Sequence, residues 1–315
     1  MDDAEIDVVE GPLGQDDADA VLRLARAAEH VDGVAPLSEQ PLLWLTDPDA
    51  TVRHLLVRAA DDLAGYAQID LGSTAVAATE IVVHPFARSH GVGTALAAHA
   101  RTVADAHGLD LRVWAHGNLP AARRLAAKTG YTVVRELLRM TLDLRSRTPE
   151  TVFLPADLEL RTFRPGEDDE AWLALNARAF ADHPEQGRMT LGDLQARGRE
   201  SWFDPESFFV VLRVDTLVGF IWLKVLPDDE QAVDLGAEAA TGERVGEIYA
   251  VGIDPSAQGM GLGAALTRVG LDRLVALGVD TAELYTGREN TIAVRTYERA
   301  GFVVASTDVQ LGPVA

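Results

Sequence analysis

Two short glycine-containing loops, and two ionisable side chains flanking the second, are the residues of this chain best suited to chemistry. The loops read RSHGVG at residues 88–93 and QGMGLG at 258–263, both of the form R/Q-x-x-G-x-G. Each follows a β-branched run and an x-Pro turn, and each opens a stretch with helical spacing of apolar residues. A helix N-terminus carries backbone N–H groups with no intrahelical partner, and glycines let those groups approach an anion without an intervening Cβ. The chemistry on offer is recognition of a pyrophosphate. A single such motif fits a tight strand-to-helix turn equally well, but its recurrence with matched flanks favours a ligand. The ionisable pair is Glu247, on the strand before the second loop, and Tyr297, in the helix after it. A carboxylate and a phenol can act as general base and general acid. The plain alternatives are an exposed strand-end carboxylate and a packing aromatic.

The elements that must position these residues occur twice. IVVHPFARSHGVGTALAAHA (81–100) matches VGIDPSAQGMGLGAALTRVG (251–270) at an offset of 170, and ARRLAAKTGYTVV from Ala122 matches AVRTYERAGFVVA from Ala293 at 171. At these offsets Glu247 falls on Ala77 and Tyr297 on Ala126, so the first copy lacks both ionisable groups. Alternation along EIYAVGI puts Glu247, Tyr249, Val251 and Ile253 on one face of their strand. Each half reads as an entry helix (17–30; 168–180), strands that include a hairpin around Asp215-Thr216, the strand-loop-helix element, and a final helix and strand. The fold class is therefore α/β: two tandem domains, each a mixed, mostly antiparallel sheet with helices on both faces. The polar stretch RSRTPETVFLPAD places the boundary near residue 150, giving domains 1–148 and 158–315 with a linker over 149–157. The charged run from Asp228 to Glu243 reads as a solvated loop.

A length of 315 residues suits two domains. Acidic residues number 49 against 28 basic, a formal charge of −21, which argues against nucleic acid and leaves anion binding to backbone donors or a few arginines. With no cysteine there is no disulfide, thiolate metal site or cysteine nucleophile, so any group transfer would be direct, within a ternary complex and not through a cysteine intermediate. The eight histidines show no metal-ligand spacing, so no metal is expected. His183, beside a proline, reads as a loop hydrogen-bond donor, with ligand or base as the alternative. An acidic start and the lack of a long apolar run lead to the expectation of a cytoplasmic protein with no membrane partner; a monomer is expected, although nothing in the sequence fixes the oligomeric state. Only two lysines occur, Lys128 and Lys224, the latter ending the apolar strand FIWLKV; a strand-end lysine is an edge charge or a ligand.

V/I-x-P-x-A-R/Q-x-x-G-x-G, followed some forty residues later by Y-x-x-x-G-F in the second half and by the matching ARRLAAKTGY segment in the first, resembles the GNAT superfamily of acetyl-CoA-dependent N-acyltransferases, and the resemblance covers both halves. VDGVAPLSEQ (31–40), EIVVHP (80–85), VWAHG (113–117), HPEQG (183–187), WFDP (202–205) and VRTYERAGF (294–302) are similar to the tandem GNAT enzymes of actinobacteria that complete mycothiol, acetylating the cysteinyl amine of a cysteinyl-glucosaminyl-inositol. The resemblance implies acetyl-CoA as co-substrate and a small aminothiol glycoside as acceptor. It implies cofactor contacts at Ile81, Val82 and Val83, and at Arg88, Ser89, His90, Gly91, Val92 and Gly93 in the first half. In the second half it implies Val251, Gly252 and Ile253; Gln258, Gly259, Met260, Gly261, Leu262 and Gly263; Tyr285; and Asn290, Thr291, Ile292, Ala293, Val294 and Arg295. Glu39, Glu185, Lys224 and Glu247 match acceptor-contacting positions. Glu247 is then the base, working through water, and Tyr297 the acid to the CoA sulfur, while the first half is a CoA-binding or structural copy. Gln258, unlike Arg88, brings no charge to a phosphate, so the second loop would rely on its backbone. Two alternatives stand beside this reading: another amine as acceptor, such as a peptide N-terminus or an aminoglycoside, or a CoA-binding sensor without turnover.

Overall fold

A computed structural model describes residues 6–60, 62–149, 151–181, 184–227 and 243–314, the side chains of Pro184 and Glu185 excepted. His183 and all but the last residue of the 228–243 run lie outside the described residues. By internal contacts the chain forms two compact units: residues up to Leu137 together with Ser306 onward, and Leu138–Ala305. The change of unit at Leu137 lies within a strand, and the chain returns to the first unit from Ser306 onward.

The first unit contains β1 (Val9–Gly11), α1 (Gln15–Asp32), α2 (Glu39–Leu43), β2 (Val52–Ala59), β3 (Asp62–Asp70), β4 (Val76–Val83), α3 (Val92–Ala106), β5 (Asp110–Ala115) and α4 (Pro120–Thr129). It also holds the start of β6 (Tyr131–Asp143) and the end of β12 (Val303–Pro313). Strands β1 to β4 pair antiparallel in order, β4 and β5 are parallel across the α3 crossover, and the end of β12 runs antiparallel to β5 with Val309 opposite Ala115. Alternation along the strands buries Leu55, Ala67 and Ile69 under Leu96 and Ala100 of α3. The opposite face covers Leu56, Tyr66 and Val82 with Val21, Leu24 and Ala28 of α1.

The second unit repeats the plan with β7 (Leu158–Thr162), α5 (Asp169–Ala179), α6 (Pro184–Gly187), α7 (Leu191–Arg197), β8 (Phe208–Arg213), β9 (Thr216–Lys224), β10 (Val245–Ile253), α8 (Leu262–Ala276), β11 (Thr281–Gly287) and α9 (Thr291–Ala300). β7 to β10 pair antiparallel in order and β10 is parallel to β11. The hairpin expected around Asp215-Thr216 is present as β8–β9, its turn one residue earlier, at Val214 and Asp215. Ile221, Leu223 and Ile248 pack under Leu266, Leu271 and Leu274 of α8. The other face is aromatic, with Trp172 of α5 and Trp202, which follows α7, clustered with Phe208, Phe220 and Trp222 of the sheet. Both units are thus mixed, mostly antiparallel sheets flanked by helices. The short helices α2, α6 and α7 carry too few turns to leave a periodic signal in the sequence.

One feature overturns a sequence expectation. The β9–β10 ladder pairs Lys224 with Glu247 and Leu223 with Ile248, then shifts, so that Trp222 pairs with Ala250. Tyr249 is the extra residue of a β-bulge, which places it on the same side as Ala250 and ends strict alternation. Glu247, opposite Lys224, and Tyr249 share the aromatic face, whereas Val251 and Ile253 pack on the α8 side. The four residues do not lie on one face. In the first unit the corresponding β3–β4 ladder runs from Gly65–Val83 to Asp70–Ala78 without a shift. Counted from the paired glycines Gly65 and Gly219, Glu247 corresponds to Ala78, one residue from the Ala77 given by the offset, and Lys224 corresponds to Asp70.

Candidate active site

The second glycine loop joins β10 to α8. Gly259 and Gly261 hold φ of +78° and +76°, a region other residues enter only with strain, and Gly261 is the N-cap of α8. A Cβ added at Gly259, Gly261 or Gly263 would meet no atom within 4 Å, so the backbone there is open to a ligand. The loop is braced from behind. Asp254 accepts from the Ser256 backbone N–H at 2.9 Å and its hydroxyl at 2.7 Å, and from Arg178 Nε at 2.8 Å. Although burial works against its charge, these donors hold the Asp254 carboxyl below the ordinary carboxylate value. Neither Asp254 nor Arg178 was singled out from the sequence; the only signal available was an aspartate before the x-Pro turn. Beside the first turn of α8 a cleft of about 210 Å³ is lined by Ala264, Thr296 and the arginines 147, 268 and 299.

Between β10 and β11 the parallel ladder runs from Val245–Thr281 to Ile248–Leu284, yet both strands continue, to Ile253 and Gly287. The strands part beyond Leu284, and the bulge at Tyr249 begins where they do. Val251, Gly252 and Ile253 line this opening on β10, and the exposed Tyr285 lies just past the last pair on β11. Asn290 caps α9, accepting from the Ala293 N–H at 3.1 Å, so 290–295 form the cap and first turn of that helix.

On the aromatic face the ladder brings Lys224 and Glu247 side by side. The Lys224 ammonium lies 5.1 Å from the centroid of Trp202 and 5.9 Å from that of Tyr249, within range of both ring faces. Arg197, almost fully buried, donates from Nε to the Tyr249 hydroxyl and so orients one of those rings. Trp202, Tyr249 and Arg197 had no role in the sequence reading; WFDP marked the first only as a matching segment. Tyr297 sits on α9, half-buried, edge-on to Phe302 with centroids 5.9 Å apart, on the α8 side of the sheet and so across it from Glu247. Burial pushes its phenol up to about 12. At neutral pH it therefore keeps its proton.

The remaining residues implied by the resemblance are placed as follows. Glu39 is the first residue of α2 in the first unit, and Glu185 is in α6, its side chain outside the described set. In the first unit, Ile81–Val83 end β4, and Ser89 and Gly91 hold φ of +65° and +92° in a loop of the same kind. Arg88, however, is engaged: its guanidinium makes a two-pronged pair with Asp32 at 2.7 Å on each arm and donates Nε to the Val83 carbonyl at 3.2 Å. Its charge is committed to the protein, and this loop is more closely packed than the second: a Cβ at Gly91 would meet Ile6 at 3.2 Å, and one at Gly93 would meet Leu125 and Val83 at 3.5 Å. The first unit has Ala126 where the second has Tyr297, and Ala78 where it has Glu247. Among the described residues no group of three His, Asp and Glu side chains is placed to hold a metal ion, and no helix is long and apolar enough to cross a membrane.

Comparison with known proteins agrees with this geometry. The acetyltransferase (GNAT) family model matches residues 19–131 and 170–302, one stretch for each copy. A mycothiol acetyltransferase of Sanguibacter keddieii is 60% identical over 99% of this chain and 98% of its own, and one of Cellulomonas flavigena is 51% identical over 94% and 85%. Among solved structures, a tandem GNAT protein from the clavulanic acid biosynthesis pathway superposes with a TM-score of 0.70 at 19% identity, covering 98% of this chain and 100% of its own. A GCN5-related N-acetyltransferase from Sphaerobacter thermophilus gives 0.67 at 22% identity over 96% and 94%. With two copies of one strand-loop-helix element, a parted strand pair and full-length relatives of one kind, the chain belongs to the GNAT acetyltransferase family and groups with its mycothiol acetyltransferases.

Proposed function

We propose that the chain transfers the acetyl group of acetyl-CoA to the cysteinyl amine of cysteinyl-glucosaminyl-inositol, completing mycothiol, and that the second unit carries the reaction. The end-to-end likeness to mycothiol acetyltransferases supports this acceptor; the geometry of the second unit supports amine acylation but does not by itself select among amines. Acetyl-CoA, when bound, supplies the thioester. The backbone N–H groups of Gln258–Gly263 and the first turn of α8 suit its pyrophosphate, and the β10 edge at Val251–Ile253 suits an extended amide-bearing arm. The neighbouring cleft gathers three arginines, of which Arg147 is paired with Asp272.

Glu247 takes the proton of the attacking amine through water. The task is light, because an α-amine has a reference pKa of about 7.7–8.0 and is substantially neutral at cellular pH. Tyr297 holds a proton for the departing sulfur. The N–C bond forms as the C–S bond breaks, one proton leaves the nitrogen, and one reaches the sulfur. Lys224, Glu39 and Glu185 bind the polar acceptor. The first unit, lacking both the base and the acid, binds CoA or serves structurally. The absence of cysteine fits a reducing compartment, and a cytoplasmic monomer is part of this reading. The test is release of free CoA thiol from acetyl-CoA with cysteinyl-glucosaminyl-inositol, compared with a peptide N-terminus and an aminoglycoside. Turnover on another amine with none on the cysteinyl glycoside would overturn the acceptor assignment.

A further inference from the structure

The first unit, which lacks the acid and the base, nevertheless buries an elaborate polar network on the face that in the second unit carries Glu247 and Lys224. Its centre is Glu80, on β4, 6% exposed. The carboxylate accepts from the Ser38 backbone N–H at 2.7 Å and from the Ser38 hydroxyl at 2.6 Å. It also faces His116 Nε2 at 3.3 Å. The other ring nitrogen of His116 lies 3.2 Å from Asp308, whose second oxygen accepts from the Gly117 N–H at 2.7 Å. Burial alone would lower the His116 pKa, but the two carboxylates raise it, to about 10, so the ring is a cation between two anions.

A second anchor stands beside the first. Gln68 is the ladder partner of Glu80 on β3 and is 2% exposed. Its amide donates to the Pro41 carbonyl at 2.9 Å and to the Tyr66 hydroxyl at 3.1 Å, and that hydroxyl is 2.8 Å from His54 Nδ1. Ser38 and Pro41 bracket Glu39. The two buried anchors thus grip the short helix α2 immediately before and two residues after that carboxylate. Desolvating an imidazolium and two carboxylates is expensive, and an apolar cluster of the same size would hold the chain at least as firmly. An arrangement of this kind gives a fixed backbone position where greasy packing would allow sliding.

We propose that Glu80, with His116 and Asp308 behind it, and Gln68 are positioning residues that fix the backbone on either side of Glu39, so that the Glu39 carboxylate is set for the acceptor substrate. The inference rests on the reading that Glu39 binds that substrate. On it, the face that could have been an acceptor site in the first unit is closed over by α2 and serves acceptor recognition by holding one residue.

The experiment is steady-state kinetics of the full chain with acetyl-CoA and cysteinyl-glucosaminyl-inositol, for Glu39→Gln, Ser38→Ala, Glu80→Gln and the double variant Glu39→Gln/Glu80→Gln, with a thermal melt of each. Ser38 is exposed, so its replacement leaves the core intact and keeps the test decisive if Glu80→Gln does not fold. Loss of one hydrogen bond to a charged group predicts a rise of about tenfold in the acceptor KM for Glu80→Gln, and a smaller one for Ser38→Ala, with kcat and the acetyl-CoA KM unchanged. The double variant should be no worse than Glu39→Gln alone. If Glu39→Gln leaves the acceptor KM unchanged, the role of Glu39 itself fails, and the inference with it. If Glu39→Gln raises it while Ser38→Ala and Glu80→Gln lower only the melting temperature, or if the losses add in the double variant, the positioning role alone is overturned.

Discussion

Replacing Tyr297 by Phe removes one hydroxyl from a side chain that already packs through its ring on Phe302, so the fold should be unaffected and the rate should report the hydroxyl alone. The burial-raised phenol, at about 12, sets the size of the effect. A thiol such as that of CoA has a reference pKa near 8.5, so full proton transfer from the phenol to a free thiolate would be uphill by about 3.5 units, or about 5 kcal/mol. The proton therefore stays largely with the phenol while the C–S bond breaks, and the hydroxyl stabilises the developing charge as a hydrogen-bond donor. Loss of such a bond to a charged group costs about 1.5–3 kcal/mol, a fall in kcat of roughly 10- to 150-fold. Stopped-flow thiol release at saturating acceptor measures this, and a titration of CoA binding should show no change. The wild-type kcat should also stay level through pH 10, because the phenol does not yet ionise. An unchanged rate, a loss of 10,000-fold or more, or an alkaline limb near pH 10 that disappears in Tyr297→Phe would each refute the reasoning.

Glu247→Gln should lower kcat/KM for the acceptor at pH 7, and the deficit should shrink above about pH 8, where the amine is already neutral without help; a deficit independent of pH counts against a base. Lys224→Met should raise the acceptor KM and leave that of acetyl-CoA alone, whereas Lys224→Arg, which still stacks on Trp202 and Tyr249, should restore part of the affinity in the same assay. Gly263→Ala places a methyl group in open space within α8, so the melting temperature should rise by the equivalent of up to about 1 kcal/mol while the acetyl-CoA KM rises as the methyl obstructs the loop. The His116 pKa, about 10 in the folded chain against an ordinary 6.5, contributes stability that is complete below about pH 6.5 and is lost as pH rises through 10. The gap in melting temperature between wild type and His116→Gln should thus be widest at pH 6 and narrow toward pH 10; a constant gap denies that the ring is charged.

The glycine loops, the two copies and the strand-loop-helix order were legible in the sequence because each is a local pattern: glycines at fixed spacing, apolar residues at a fixed period. The bulge at Tyr249 was not legible. A period-two reading has no means of registering an extra residue, so it put Val251 and Ile253 on the face of Glu247 and matched Glu247 to Ala77 instead of Ala78. Long-range pairings were hidden for a different reason. Arg88 looked like a charge for phosphate until Asp32, far off in sequence, took its guanidinium; Glu80 stood in the sequence as part of a matching segment, and nothing there announced that Ser38 and His116 claim its oxygens. Side-chain type and spacing disclose which groups could do chemistry, whereas whether a group is available depends on partners that only folding brings near.

The discontinuity of the first unit bears on how the chain is made. Its sheet is completed by residues from Ser306 onward, where Val309 and Leu311 pair with β5 and Asp308 meets His116. A ribosome that has released the first 137 residues has therefore not yet supplied the β5 partner strand or one carboxylate of the buried triad. The unit synthesised first is the one that must wait, with an open sheet edge, until residues 306–314 have been made. Deleting residues from Ser306 onward should accordingly unsettle the first unit before the second, although those residues follow the second in the chain.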